Sequence, residues 1–340
     1  MWQLINHTPF AAERTWVRDM NGAEVWIVAV KGTFVIRLDG STELAEKQEE
    51  VCRVPQYLGE PGKSSLKYES DLVHTKPTTD ILLHGHAYAP RLRPAQWVDV
   101  AMNVGTLTKT LRVFGDRYWK AGAIGVDMTV PEPFEKMPLI YERAFGGADQ
   151  TSIDPKKQGW EKRNPVGTGF AMEGGHLVNQ PVPNIEDQME LITSWKQRPR
   201  PAGFGPIARH WSPRVELAGT YDKKWQEARL PLLPADFDER YYQSAPEDQQ
   251  SEYYLRGGEE VVLRNLTPEE VLRFKLPKIV LEFRTNFGKE TVEHRANLHS
   301  VVIEPDESRV LMVLHTMLPC HQKALKLVDT TIIQKKQYRI

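Results

Sequence analysis

Two histidines separated by one residue are the first side chains in this sequence whose types and spacing could perform chemistry. His84 and His86 flank Gly85, and on an extended strand both imidazoles would point to one face. With a carboxylate as a third ligand, such a pair can hold a divalent metal ion that activates water. We expect the pair instead to lie on a solvent-facing strand without a metal. A metal-dependent hydrolase using His84 and His86 is kept as an alternative.

A thiol beside an imidazole is the second candidate for chemistry. Cys320 precedes His321, and His315 is close in sequence, so an imidazole could activate the thiol as a nucleophile. Adjacent residues on a strand point to opposite faces, however, and Cys320 and His321 should not touch. We expect Cys320 and Cys52 to be reduced thiols without a catalytic role.

Two pairs of acids, Asp236 with Asp238 and Asp306 with Glu307, could act as a general acid and a general base. Both pairs lie in turn-like contexts, where carboxylates commonly cap backbone amides, and we expect that structural role. The sequence contains no phosphate-binding loop, no dinucleotide-binding fingerprint, no His-Glu-x-x-His motif and no Gly-x-Ser-x-Gly elbow. We therefore predict a protein that is not an enzyme and that holds no metal or cofactor.

The composition argues against several classes of function. Among 340 residues, 44 Lys and Arg nearly balance 45 Asp and Glu, and the net charge of −1 argues against DNA, RNA or an anionic membrane as a partner. No apolar run approaches the roughly 20 residues of a membrane-spanning helix. Residues 1–10 lack the cationic and apolar stretches of a secretory signal, and two cysteines are too few for a disulfide framework. We expect the protein to stay in the cytoplasm.

Residues 1–135 form the first of three regions, an N-terminal β region. Short apolar and β-branched runs separated by Gly, Pro and Asp are typical of strands. The run Glu24–Leu38 is almost continuously apolar, which predicts a long strand buried on both faces and bent or bulged at Gly32. Alternation along Val98–Val104 and Leu107–Val113 predicts a β-hairpin.

Residues 136–258 form the second region, which we predict to be mostly ordered loop. Seven glycines between Gly146 and Gly175 and nine prolines between Pro181 and Pro246 exclude long helices and regular interior strands. The region is also rich in aromatic residues, which can pack a layer of loops against a sheet. The alternative is that these rings form an exposed binding surface. The rings are Trp160, Phe170, Trp195, Phe204, Trp211, Tyr221, Trp225, Phe237, Tyr241 and Tyr242.

Residues 259–340 form the third region, a C-terminal β region with one helical signal. Thr267, Pro268 and Glu270 match a capping box with a first-turn proline, which predicts a short helix ending near Phe274. Later alternation predicts antiparallel strands. The whole chain is therefore expected to be mainly β, with antiparallel sheets wrapped by the Gly/Pro-rich loop region. The three regions can belong to one intertwined domain.

Short motifs spread over most of the chain resemble a bacterial family known as a domain of unknown function. Each motif alone is weak, whereas many separated motifs in the same order are specific. They are Asn6–Phe10, Arg143–Gly147, Asn164–Phe170, Pro183–Glu186, Pro201–Ile207, Trp211–Arg214, Gly219–Asp222, Arg229–Asp238, Tyr241–Tyr242, Ala245–Pro246 and Asp248–Gln250.

This resemblance implies an adaptor or chaperone of the type VI secretion system. Members are encoded beside effectors that carry PAAR-type spike tips, often with Rhs or other toxin domains. The resemblance implies that the protein binds the N-terminal region of its cognate effector in the producing cell and promotes loading onto the VgrG spike. It supplies no agreed set of functional residues.

Five residues of the loop region are our candidates for contact with a partner protein: Arg209, Trp211, Arg214, Tyr221 and Trp225. Trp, Tyr and Arg dominate the buried anchors of protein interfaces, and binding through strand-edge pairing or an aromatic groove is expected. The competing explanation is that these side chains attach the loops to the sheets. A β-rich module that binds polysaccharide through aromatic platforms is a further alternative.

Overall fold

The computed structural model describes residues 2–123 and 125–335. Within them the chain forms strands, one α-helix and short 3-10 segments, which confirms the predicted mainly β fold. The strands are β1 (Gln3–Asn6), β2 (Ala11–Arg18), β3 (Glu24–Ile36), β4 (Thr42–Leu44), β5 (Gln56–Tyr57), β6 (Leu66–Tyr68), β7 (Asp80–Leu83), β8 (His86–Tyr88), β9 (Trp97–Val104), β10 (Leu107–Phe114), β11 (Trp119–Ala121), β12 (Val126–Met128), β13 (Lys136–Pro138), β14 (Phe145–Gly146), β15 (Ala148–Asp149), β16 (Gly159–Trp160), β17 (Thr168–Gly169), β18 (Ile185–Asp187), β19 (Glu260–Arg264), β20 (Val271–Lys275), β21 (Leu281–Asn286), β22 (Thr291–His294), β23 (Asn297–Glu304), β24 (Arg309–Pro319) and β25 (Asp329–Gln334).

The helical segments of the described residues are all short. The α-helix, α1, spans Lys223–Ala228. No helix of the described residues is both long and apolar enough to cross a membrane. The 3-10 segments are Pro90–Leu92, Tyr141–Arg143, Pro155–Lys157, Gly174–Leu177, Arg214–Ala218, Glu239–Tyr242, Glu247–Gln249, Pro305–Glu307 and Ala324–Lys326.

Three larger sheets organise the fold. The six-stranded sheet has the order β2-β3-β24-β23-β7, with β4 also paired to β3. The five-stranded sheet has the order β18-β10-β9-β19-β20, and the four-stranded sheet has the order β1-β25-β21-β22. Neighbours in these sheets are antiparallel except β1 with β25 and β23 with β7, which are parallel. Strands from the two ends of the chain therefore lie side by side.

The long strand β3 is buried along almost its whole length, as its apolar sequence predicts. It pairs with β24 from Val25 to Val35 without a register shift, so the bulge predicted at Gly32 is wrong for this pairing. Gly32 instead marks the place where the other neighbour of β3 changes from β2 to β4. A Cβ atom there would lie 2.9 Å from the Phe34 ring and 3.2 Å from Phe10, so close packing explains the glycine.

The predicted hairpin is confirmed as β9 and β10, which pair from Val104 and Leu107 outward. Alternate residues of both strands are buried, because one face of the sheet packs on the core. Lys109 of β10 also faces inward, where its Nζ donates to Asp248 Oδ1 at 2.9 Å and to Gln249 Oε1 at 2.8 Å. These contacts connect the loop region to the sheet.

The short helix predicted from Thr267 to Phe274 is wrong. Thr267–Glu270 lie in the turn between β19 and β20, where Asn265 and Glu270 adopt positive φ values of 54° and 62°. The Thr267 hydroxyl is buried without a partner, so it caps no helix. In β20, buried and exposed residues alternate, and this period of two outweighs the local capping signal.

One large apolar cluster joins all three predicted regions. Its members include Trp26 of β3, Met102 of β9, Phe204 of the loop region and Val310 of β24. A smaller cluster around Trp119 is formed mainly by the loop region. The loop region therefore contributes to the interior as well as covering the sheets.

Tight backbone packing joins two of the motifs that carry the resemblance. The Asn164 amide donates to the carbonyl oxygens of Tyr141 at 2.7 Å and Phe145 at 3.1 Å. Phe145–Gly146 pairs in parallel with Thr168–Gly169. At Gly146 a Cβ atom would overlap the Asn164 carbonyl, and φ is 157°, so only glycine fits this contact.

Candidate functional site

The five candidate residues lie in two different environments. Arg209, Trp211 and Arg214 attach the loop region to the interior of the protein. Tyr221 and Trp225 belong to a surface segment, residues 219–242, which we call the aromatic lobe. The structure thus places part of the predicted site inside the fold and part on its surface.

Arg209 and Arg214 converge on a single buried carboxylate, that of Glu69. Arg214 Nη1 lies 2.7 Å from Glu69 Oε2, and Arg209 Nη2 lies 3.0 Å from Oε1. The Arg214 side chain is only 3% exposed, and it also donates to the carbonyl oxygens of Tyr241 and Ile207. Burial alone would raise the pKa of Glu69, but the two guanidinium groups outweigh it and hold that pKa below its usual value. The network therefore fixes the loop region to the segment after β6.

Trp211 is a core residue and not a surface anchor. It is 1% exposed, and its ring packs edge-on against Tyr141 at a centroid distance of 5.6 Å. Its indole nitrogen donates to His210 Nε2 at 3.1 Å. Arg214 and Trp211 therefore attach the loops to the sheets, as the competing explanation holds, whereas 38% of the Arg209 side chain is exposed.

Helix α1 positions the first two rings of the aromatic lobe. Asp222 caps it by accepting from the Trp225 amide at 2.8 Å, and the Trp225 indole donates to the Leu232 carbonyl at 2.8 Å. The Tyr221 ring packs edge-on against Trp225 at 4.7 Å and is half exposed, at 50%. Tyr221 is therefore the most accessible of the predicted anchors.

Three further rings complete the lobe: Phe237, Tyr241 and Tyr242. Their centroids lie 5.4 to 5.9 Å apart, and each ring is partly exposed. Burial raises the pKa of Tyr242 to about 12, so its hydroxyl stays protonated at neutral pH. Arg214 stacks over the Tyr241 ring at 5.6 Å, which connects the surface rings to the buried network.

The lobe is attached to the turn between β2 and β3. Arg229 Nη2 donates to the Met20 carbonyl at 2.8 Å, and its Nε donates to the Leu233 carbonyl at 2.8 Å. Leu232 packs against Gly22 in the same turn. The aromatic lobe therefore lies next to the end of β2.

The histidines that motivated the metal alternative have different surroundings. His84 is partly buried, with its Nε2 enclosed and without a hydrogen-bond partner; burial lowers its pKa to about 4, and its ring lies edge-on to Tyr68 at 5.4 Å. His86 is partly exposed, and its Nδ1 lies 2.6 Å from Asp306 Oδ2. Within residues 2–123 and 125–335, no group of three or more His, Cys, Asp or Glu is arranged to hold a metal ion.

The thiol and its neighbours do not form a reactive group. Burial raises the pKa of Cys320 to about 11, and its Sγ contacts the Leu318 carbonyl at 3.1 Å. His321 is exposed, whereas His315 is buried and stacks on His299 at 4.2 Å. Cys52 is likewise buried, with a pKa raised to about 11.

Asp236 and Asp238 cap backbone groups, as their turn contexts predict, whereas the capping predicted for Asp306 is wrong. Asp236 accepts from the Thr220 amide and hydroxyl, and Asp238 accepts from the Arg240 amide at the start of a 3-10 turn. Asp306 instead accepts from the Tyr88 hydroxyl and contacts His86. Asp236 and Asp238 thus serve local structure, and Asp306 connects the turn before β24 to β8.

A large cavity lies away from all five candidate residues. It has a volume of about 670 Å³ and lies between residues 252–256 and the strands β23 and β24. Leu298, Met312 and Leu314 supply apolar lining, and the charged lining residues are Glu252, Arg256 and Arg295. The cavity brings together no set of groups suited to acid, base or nucleophilic chemistry.

Sequence reasoning missed Glu69, the residue that organises the buried network. Glu69 is 140 residues from Arg209, and no local pattern marks a single acid after a short strand as a partner of distant arginines. The aromatic lobe could be found from composition, because aromatic residues recur in a Pro-rich segment. The position of the lobe beside β2 could not be found in this way, because it depends on contacts between residues that are distant in sequence.

Comparison with known proteins gives one family. A family model described as "Uncharacterized protein conserved in bacteria (DUF2169)" matches residues 21–315. This match covers most of the chain, and the protein therefore belongs to that bacterial family. No significant match was found among curated proteins or among solved structures.

Proposed function

We propose that this member of the bacterial DUF2169 family is an adaptor of the type VI secretion system that binds and stabilises a cognate effector. The partner is the N-terminal region of a PAAR- or Rhs-type effector, and the adaptor promotes its loading onto the VgrG spike. The assignment to the type VI secretion system is supported by the motifs that resemble the family and occur in the same order. The aromatic lobe supports a role in binding another polypeptide.

The observation that carries the proposal is the aromatic lobe. Two groups of packed rings are partly exposed, Tyr221 with Trp225 and Phe237 with Tyr241 and Tyr242, and Tyr221 has half of its surface in solvent. Aromatic side chains presented on a rigid support are the commonest anchors of protein interfaces, because they bury a large area with little loss of side-chain entropy. The buried Arg214–Glu69 pair provides that rigid support.

The physical benefit to the partner is removal of apolar surface from water. An effector segment with exposed apolar side chains is prone to aggregate, and binding shifts it toward the soluble bound form by mass action. The adaptor makes and breaks no covalent bond in this scheme. Its abundance relative to the effector then sets how much effector is protected.

The experiment that tests the proposal is coexpression with the product of the effector gene beside this gene. We expect copurification, and deletion of the adaptor gene should lower the level and delivery of the effector while spike firing continues. Tyr221→Ala combined with Trp225→Ala should weaken binding at least tenfold. Trp160→Ala is the matched control, because Trp160 is 58% exposed but lies outside the lobe.

Two results would count against the proposal. Unchanged effector level and delivery in the deletion strain would remove the adaptor role. Binding of a polysaccharide in a glycan screen, lost in the Tyr221→Ala/Trp225→Ala variant, would assign the rings to sugar recognition instead.

A further inference from the structure

Strand β2 ends the six-stranded sheet and carries an open edge. It has eight residues, whereas the other edge strands of the three larger sheets have at most five. None of its residues is fully buried. Within residues 2–123 and 125–335, no backbone group of Ala11–Arg18 pairs with backbone other than that of β3.

The hydrogen bonds around β3 identify the groups that face outward. The Asp19 amide donates to the Ala23 carbonyl. In an antiparallel pair this means that the backbone groups of the odd-numbered residues of β2 form the hydrogen bonds to β3. The Cys320 amide donates to the Glu24 carbonyl, which independently assigns the even-numbered residues of β3 to β24. The backbone groups on the open edge are therefore those of Ala12, Arg14, Trp16 and Arg18.

The other edges of the three larger sheets are covered or short. At β7, the Leu83 amide donates to the Phe204 carbonyl, and Asp80 bridges to Gln250. At β20, the loop at Gly40 packs directly on the Arg273 carbonyl. Strand β2 thus offers the longest open row of backbone donors and acceptors among the edges of these sheets.

We propose that an extended segment of the partner adds to β2 as a further strand, in continuity with the aromatic lobe. This inference rests on the proposed function and names the surface that performs it. Strand addition uses main-chain hydrogen bonds for affinity and alternate side chains for specificity. The eight residues of β2 span about 26 Å at about 3.3 Å per residue, so one strand of similar length occupies the edge.

Charge indicates the chemistry of the added strand. Arg14 and Arg18 are the exposed residues of β2, and both extend from the same face. Arg14 pairs with Glu13, whereas Arg18 has no acidic partner among the described residues. Opposite charges directly across a strand pair are favourable, so the partner strand carries Asp or Glu opposite Arg18. A second copy of this chain would bring its own arginines to the same edge.

The test uses the adaptor–effector pair from the coexpression experiment. Arg14→Pro with Arg18→Pro removes two outward amides without removing a bond to β3. The matched control, Arg14→Ala with Arg18→Ala, keeps both amides and removes only the charged side chains. We expect the proline variant to lose binding at least 100-fold and the alanine variant to lose about tenfold or less. Near-UV circular dichroism and thermal unfolding verify that both variants fold.

Hydrogen–deuterium exchange of the unaltered complex supplies a readout that does not depend on variants. Binding should slow exchange in peptides covering residues 11–18, because the outward amides of Ala12, Trp16 and Arg18 become hydrogen-bonded and the Arg14 amide, which donates to Glu13 Oε1 at 2.9 Å in the free protein, gains a main-chain acceptor. Protection confined to the lobe, or full binding by a folded proline variant, overturns the strand addition and leaves the adaptor function intact. Failure of the unaltered adaptor to bind the effector overturns the adaptor function itself. A dimer of the adaptor alone that the proline variant dissolves would assign the edge to a second copy and also overturn the inference.

Discussion

Replacement of Arg214 by Met should destabilise the fold before it affects any partner. The Arg214 side chain is 3% exposed, and its guanidinium is bonded to Glu69 and to two main-chain carbonyls. Met fills a similar length but leaves the Glu69 carboxylate, 4% exposed, with Arg209 as its remaining guanidinium partner. Removing one partner of a buried ion pair costs about 3 to 5 kcal/mol, which is a large share of the stability of a typical domain.

The measurement is the free energy of unfolding from urea titrations followed by circular dichroism. Arg209→Met is the matched control, because Arg209 contacts the same carboxylate while 38% of its side chain is exposed, and it should cost about 1 kcal/mol or less. The double variant Glu69→Leu/Arg214→Met should be more stable than Arg214→Met alone, since it removes the buried carboxylate that the single variant leaves with only the partly exposed Arg209. An Arg214→Met protein that unfolds within about 1 kcal/mol of the unaltered chain, yet no longer binds the effector, would refute this reasoning.

Three further perturbations test the interior. Burial lowers the pKa of His315 to about 3, so the folded protein keeps this imidazole neutral while the unfolded chain binds a proton below pH 6.5. The free energy of unfolding should therefore fall as the pH drops from 6.5 toward 4, by up to about 1.4 kcal/mol per pH unit for this residue, and His315→Phe should remove that part of the slope in urea titrations. Gly146→Ala should cost about 3 kcal/mol, because its Cβ overlaps a carbonyl, whereas Gly175→Ala, with open space around it, should change the unfolding free energy by less than about 0.5 kcal/mol. Lys109→Met should cost about 1 to 3 kcal/mol, because it leaves the buried Gln249 Oε1 without its donor, whereas the Asp248 carboxylate is 54% exposed and returns to water; an unchanged free energy of unfolding would contradict this account.

The fold class was accessible from the sequence where side chains alternate or stay apolar over a whole strand. The runs Val98–Val104 and Leu107–Val113 became β9 and β10 because each places its apolar residues on one buried face. The capping signal at Thr267 failed because it is local, whereas Leu272 and Phe274 are buried by contacts across the sheet. Short-range patterns thus predicted strands better than they predicted a helix terminus.

The candidate site was only partly accessible for the same reason. The types of Tyr221 and Trp225 favour an interface, and the structure leaves Tyr221 half exposed. The same argument from residue type named Trp211 and Arg214, which are buried, because composition cannot distinguish an anchor for a partner from an anchor for the chain itself. The distinction depends on Glu69 and Tyr141, which are distant in sequence.

The pairing of β3 with β24 has a consequence for synthesis of the protein on the ribosome. Residues 24–36 leave the exit tunnel long before residues 309–319 exist, and at roughly 5 to 20 residues per second the wait is roughly 15 to 60 s. During that interval the most apolar strand of the chain lacks one of its two neighbours. Nascent chains of this protein should therefore depend on early-acting holdases such as those that bind apolar segments at the tunnel exit, and fragments that end before residue 309 should be degraded rather than accumulate.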